Sequence, residues 1–121
     1  MRSWWILFSL LLSAAADAGS LALLITRCPL AGSQYYAVGS HWQQLKVGDT
    51  LTLAREPDNR HDPLAIQVIW QGQQLGYVPR AHNRPLAEAL DRGQALHGRI
   101  AQLTAHPDPW QRVVIEVYAG L

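Results

Sequence analysis

Cysteine is nearly absent. Cys28 stands alone among 121 residues, so the chain can build neither a disulfide framework nor a Cys-based zinc site. Charge is scarce as well: charged residues make up 16% of the chain, ten Lys and Arg against nine Asp and Glu, for a net charge of +1. That balance excludes a broadly basic nucleic-acid coat, whose counterion-release binding needs many clustered cations. With 49% hydrophobic residues the chain is not disordered either, and its length allows one domain. No G-x-x-x-x-G-K-[ST] loop is present to cradle a triphosphate. The five histidines, His41, His61, His82, His97 and His106, lie 20, 21, 15 and 9 residues apart, so none forms a short ligand pair. No metal and no other cofactor is expected. Internal repeats and low-complexity segments are also missing.

What is present begins with an apolar start. After Met1-Arg2, the residues from Trp4 to Leu12 are apolar except Ser9, and Ala16-Asp17-Ala18 precedes Gly19. A positive start, an apolar core and an A-x-A ending are the ordered parts of a secretory signal. The expectation is a signal peptide over residues 1–18, a mature chain over 19–121 and a periplasmic or secreted location. Two other readings stay open. One is an uncleaved membrane anchor, since residues 4–25 approach the ~20 needed to cross a bilayer, although Asp17, Gly19 and Ser20 interrupt them. The other is a buried first segment. A membrane is a partner only in the uncleaved case.

Beyond this start the pattern is that of strands. Leu21–Arg27 is a β-compatible run closed by Cys28-Pro29, Ala31-Gly32-Ser33 opens a turn, and Tyr35 to Val38 reads as a bent continuation. After the turn Val47-Gly48-Asp49, Leu51 and Leu53 alternate with Thr50, Thr52 and Ala54, a half-buried strand. Residues 56–63 hold two prolines, two aspartates and an asparagine, which predicts a loop. Ile66, Val68 and Trp70 then share one strand face, and Gln71-Gly72-Gln73 turns the chain into Leu75–Val78, a hairpin. Asn83 is the expected cap of a helix with an early Pro85, an apolar side at Leu86, Ala87, Ala89 and Leu90, and an end at Gly93. Strands over Ala95–Ala105 and Gln111–Tyr118 close the chain. The expected class is mainly β: a small, partly open barrel of five to six strands with one or two short helices.

Chemistry-bearing residues gather in one loop, Arg55 to Pro63, with six ionisable side chains between two strands. Loops held by a rigid scaffold are where binding residues tend to sit. The bland reading stays open beside it, because Asp and Asn also hydrogen-bond their own backbone in turns. His61-Asp62 hints at acid–base work, but no serine or cysteine stands out as a nucleophile. Seven aromatics follow the signal segment, and Trp70 and Tyr118 fit packing positions on strands. Tyr35-Tyr36 differs: consecutive strand residues face opposite ways, so one ring packs while the other is presented. Exposed rings over a small barrel suit stacking of unpaired bases.

The ordered set Gly48-Asp49, Leu51-x-Leu53, Arg55-Glu56-Pro57-x-Asn59-x-His61-Asp62-Pro63-x-Ala65-Ile66-x-Val68 and Leu75-Gly76-Tyr77-Val78-Pro79-Arg80 resembles the HIRAN domain. Ala31-Gly32-Ser33-Gln34-Tyr35-Tyr36 and Leu86-Ala87 to Leu90-Asp91-x-Gly93 extend the likeness over about residues 30–118. HIRAN domains occur fused to DNA-repair translocases and as small stand-alone bacterial proteins, which this chain looks like. The resemblance implies a modified OB-like barrel and a binding module rather than an enzyme. It also implies a partner, the free 3′ end of single-stranded DNA. On that likeness Tyr35 and Tyr36 would stack on or flank terminal bases, and Asn59 would bond near the end nucleotide. Asp62 would accept from the 3′-hydroxyl, while Tyr77 and Arg80 would line the pocket and reach a phosphate. His61 stands where DNA-binding eukaryotic members carry tyrosine, and Gln34 where a basic residue would help grip phosphate. The export signal and near-neutral charge leave a second class of function open: an envelope domain that binds a protein, peptide or glycan.

Overall fold

The structure is a computed structural model that describes residues 21–120. The signal-peptide reading of residues 1–18 lies outside the described residues. Among those described, no helix is long and apolar enough to cross a membrane.

Alternation builds the strands as the pattern predicts. β1 (Ala22–Pro29), β2 (Thr50–Arg55), β3 (Ile66–Trp70), β4 (Gln73–Tyr77), β5 (Leu96–Leu103) and β6 (Val113–Gly120) form one antiparallel sheet in the order β1-β6-β5-β2-β3-β4. Val113, Ile115, Val117 and Ala119 of β6 all point inward, as do Leu51 and Leu53 of β2 and Ile66, Val68 and Trp70 of β3. Period two puts every second residue on the core face. Cys28 is buried among them, and burial pushes its thiol up to about 11, so it behaves as a small apolar side chain.

The chain is mainly β, and the sheet does not close into a barrel. An isolated bridge ties its two ends together: Ala31 N–H donates to Tyr77 O and Tyr77 N–H to Ala31 O, both at 2.9 Å, and Ala37 N–H adds a bond to Gln74 O at 3.1 Å. Two glycines permit this. The β3–β4 connection has only Gln71 (φ 46°) and Gly72 (φ 77°) between the strands, both left-handed, as a tight hairpin with the sheet's own twist requires. Gly76 lets the Ala31 backbone approach, because a Cβ there would lie 2.3 Å from Ala31 O. The register shift between Val68 and Ile69 shows that β4 is also bulged beside this point.

Two local readings are corrected. Tyr35–Val38 is not a strand. Gly32, at φ 71°, turns the chain into a 3₁₀ turn (Ser33–Tyr35), followed by α1 (Val38–His41). Tyr35 N–H returns to Gly32 O at 3.0 Å, and Ser33 is buried beneath the turn, so tertiary packing overrides the β-preference of two tyrosines. The second correction concerns the helix. α2 (Arg80–Asp91) starts directly after Pro79, not at Asn83, and Pro85 therefore sits inside it rather than in the first turn. Asn83 is no cap; it is a buried residue of the helix whose side-chain amide donates to Asp62 Oδ2 at 2.7 Å. Leu86, Ala87 and Ala89 form the buried face of α2, where the helix joins the core.

Candidate functional site

A cleft of about 330 Å³ lies where the β2–β3 loop, β4, the start of α2 and the Ala31–Tyr36 segment meet. Tyr36, Asn59, His61, Asp62, Tyr77 and Arg80 all line it. Tyr35 does not; it stands 79% exposed beside the cleft. Both rings are exposed, Tyr36 at 38%, so the expected split into one inward-packed and one presented ring is not seen; the 3₁₀ turn, not strand alternation, sets them at different places. Tyr36 meets Tyr77 edge-to-face, with ring centroids 5.8 Å apart and planes at 70°.

The loop is shaped by its own polar side chains. Asn59 Oδ1 accepts the backbone N–H groups of His61 at 2.8 Å and Asp62 at 3.0 Å, an Asx-type turn. Arg55 fixes the other side: its guanidinium donates to Ala65 O at 2.8 Å and Pro63 O at 2.9 Å, and pairs with Asp91 at 2.9 Å. The turn role and the lining role therefore coexist in the same residues.

Asp62 is held from three sides. Its Oδ1 accepts from Leu64 N–H at 2.9 Å and its Oδ2 from Asn83 Nδ2 at 2.7 Å, while Arg80 Nε lies 3.8 Å away. The Leu64 N–H, with the Asn83 amide and the Arg80 and Arg55 charges, holds this carboxyl below the usual range, against the opposing effect of burial. Arg80 is anchored through His61 O at 2.7 Å, yet its side chain is 71% exposed. It thus keeps donors free for a ligand.

Glu56 is the residue that the sequence reading assigned no role. Its Oε1 accepts from Asn59 Nδ2 at 2.5 Å and from the Tyr77 hydroxyl at 2.9 Å, and its Oε2 accepts from Gln67 Nε2. The Gln67 and Asn59 amides and the Tyr77 hydroxyl hold this carboxyl below its ordinary value although burial opposes them. Burial, with the Glu56 carboxylate and Tyr36 beside it, pushes the Tyr77 phenol up to about 12. Nothing local in the sequence pairs Glu56 with Gln67; the β2–β3 register, Ala54 opposite Gln67, does so. Its place in the Arg55-Glu56-Pro57 motif, at the end of a strand, was the sequence signal that could have marked it.

A family model for the HIRAN domain matches residues 24–121. A crystal structure of a protein from Lactobacillus plantarum is similar, with a TM-score of 0.72 and 30% identity, covering 84% of this chain and 97% of that one. The crystal structure of the HIRAN domain of human HLTF superposes with a TM-score of 0.62 at 21% identity, covering 82% of this chain and 79% of that one. A Fanconi-associated nuclease 1 homolog from Oryza sativa subsp. japonica is 45% identical over 53 residues, which is 40% of this chain and only 6% of that protein.

Proposed function

The chain belongs to the HIRAN domain family, and from that premise we propose that it is a nucleic-acid-binding module whose cleft holds the free 3′ end of a single DNA strand. The observation that carries this reading is Asp62: an ionised carboxylate in an aromatic-walled cleft, with an exposed arginine 3.8 Å away. A carboxylate has about four acceptor positions and repels phosphate, so it favours a terminal hydroxyl over an internal backbone position. Arg80 takes the neighbouring phosphate. Tyr36, braced by Tyr77, offers a ring to the terminal base, and exposed Tyr35 offers one outside the cleft. Asn59 has one amide N–H left for the nucleotide, because its oxygen and the other N–H are used within the loop.

The reading is of a binder rather than a catalyst. Among the cleft-lining residues no serine, threonine, cysteine or lysine stands beside His61 as a nucleophile. Fluorescence anisotropy with oligonucleotides ending in a 3′-hydroxyl or a 3′-phosphate tests it. The hydroxyl end is expected to bind about tenfold tighter or better, and Asp62→Asn to erase most of that difference. Equal affinity for the two ends overturns the reading.

Export of this domain is proposed from residues 1–18, with cleavage before Gly19. Intact-mass spectrometry of the protein from expressing cells is expected to find a chain that starts at Gly19. A chain that keeps Met1 refutes cleavage.

A further inference from the structure

We propose that a second cleft takes an upstream nucleotide of the same strand, its base against Trp42 and its phosphate at Arg112. This cleft, of about 430 Å³, lies between α1 and the β5–β6 loop, with Val38, Gly39 and Trp42 on one side and His106, Pro107 and Arg112 on the other. The inference rests on the 3′-end reading of the first cleft.

Arg112 is the strongest indication. It is half-buried, and its guanidinium is fixed by two carbonyls, Nε donating to His106 O at 2.7 Å and an outer nitrogen to Pro107 O at 2.9 Å. Among the described residues no carboxylate pairs with it, whereas Arg55, the other half-buried arginine, has Asp91 at 2.9 Å. Asp108 is close in sequence, but its oxygens accept from Trp110 N–H at 3.0 Å and Gln111 Nε2 at 3.5 Å. A positioned, partly desolvated cation without a counter-charge is a ready anchor for an anion. Apart from His106, whose Nδ1 accepts from Asp108 N–H at 2.9 Å, the rest of the wall is apolar: Trp42 packs against the core, and Val38 and Pro107 flank it. An aromatic surface next to a fixed cation matches a nucleotide, one part for the base and one for the phosphate.

Position links the two clefts. Tyr36 lines the first and Val38 the second, so two residues, at most ~7–8 Å of backbone, separate those walls. Two further rings lie along the same surface. Exposed Tyr35 is on the first 3₁₀ turn, and Trp110, 51% exposed, is on a second (Pro109–Gln111). The turns pack together, with Ser33 Oγ donating to Pro109 O at 3.5 Å. Presented aromatics on two touching turns, one next in sequence to a residue of the first cleft and the other two positions from Arg112, suit a strand that continues past its end.

Binding of a thymidine dinucleotide and of an eight-nucleotide oligothymidylate, each with a free 3′-hydroxyl, separates the two clefts. The longer strand is expected to bind about tenfold tighter, the worth of one stacked and phosphate-held nucleotide. Gly39→Phe places a ring at the wall of the second cleft, at a position where an added Cβ meets nothing within 4 Å and so causes no clash. It is expected to abolish the length-dependent gain while dinucleotide affinity stays the same, and Arg112→Met to act in the same direction. If the dinucleotide binds but the longer strand gains nothing, this inference fails and the end-binding reading stands. It fails equally if the gain survives Gly39→Phe, which would leave the cleft to another occupant such as an apolar peptide. A dinucleotide that does not bind at all overturns both.

Discussion

Gly76→Ala is expected to destabilise the domain by about 3 kcal/mol, read as a lower urea midpoint at unchanged slope. The new Cβ would sit 2.3 Å from Ala31 O and 3.1 Å from Leu30 Cγ. Neither neighbour is a free-swinging side chain. Ala31 is held by two backbone hydrogen bonds to Tyr77, and Leu30 is a fully buried core residue. Relief requires the Ala31–Tyr77 pair to break, and that pair, with the Ala37 N–H to Gln74 O bond, holds the two sides of the cleft together: Ala31, Gly32 and Tyr36 on one, Tyr77 on the other. Loss of stability and loss of oligonucleotide binding are therefore expected together. An unchanged midpoint would show that β4 slides away from Ala31 at little cost, contrary to the tight packing around Gly76.

Glu56→Ala carries the second large effect. The substitution strands the Asn59 and Gln67 amides and the Tyr77 hydroxyl, three donors that converge on one carboxylate. At about 1 kcal/mol for each donor stranded in a half-buried site, the loss is ~2–3 kcal/mol. Binding is expected to fall about tenfold or more, since Asn59 and Tyr77 lose the group that orients them. Glu56→Gln keeps the size but turns an amide N–H toward donors, so it is expected to rescue only part of either loss. Acid distinguishes a charged anchor from a merely well-packed one. Because the folded protein holds Glu56 below its ordinary value, the carboxylate adds stability at pH values above its unfolded pKa. That contribution drains away as pH falls through the lower folded value. Asp62 follows the same direction, so Glu56→Ala is expected to flatten the acid limb of the stability curve without abolishing it. An acid limb identical to that of the unsubstituted protein would show that Glu56 is not the anchor.

The strand faces were legible without coordinates because strand periodicity is local. Leu51 and Leu53, Ile66, Val68 and Trp70, and Val113, Ile115 and Val117 each announce a buried face within five residues. The loop that shapes the site was legible for the same reason, since Asn59 captures N–H groups only two and three positions ahead. The two misreadings came where distant packing decides the conformation. Tyr35-Tyr36 has strand-forming residues, but Gly32 turns left-handed and Ser33 is buried beneath the turn. Asn83 has cap-forming chemistry, but Asp62, 21 positions away, claims its amide inside α2.

Sequence by itself thus determined the strands and the polar loop, which rest on residues close together in the chain, and the family likeness, which rests on an ordered set of such short motifs. Tertiary structure alone decided that the sheet stays open except at Ala31–Tyr77, and that Glu56 collects Asn59, Gln67 and Tyr77 from 3, 11 and 21 positions away. It alone left Arg112 beside Trp42 without a carboxylate among the described residues. The physical reason is common to all three. A strand's period is set by its own backbone, whereas the partner of a buried donor, acceptor or charge is set by register and close approach between segments that no local pattern specifies.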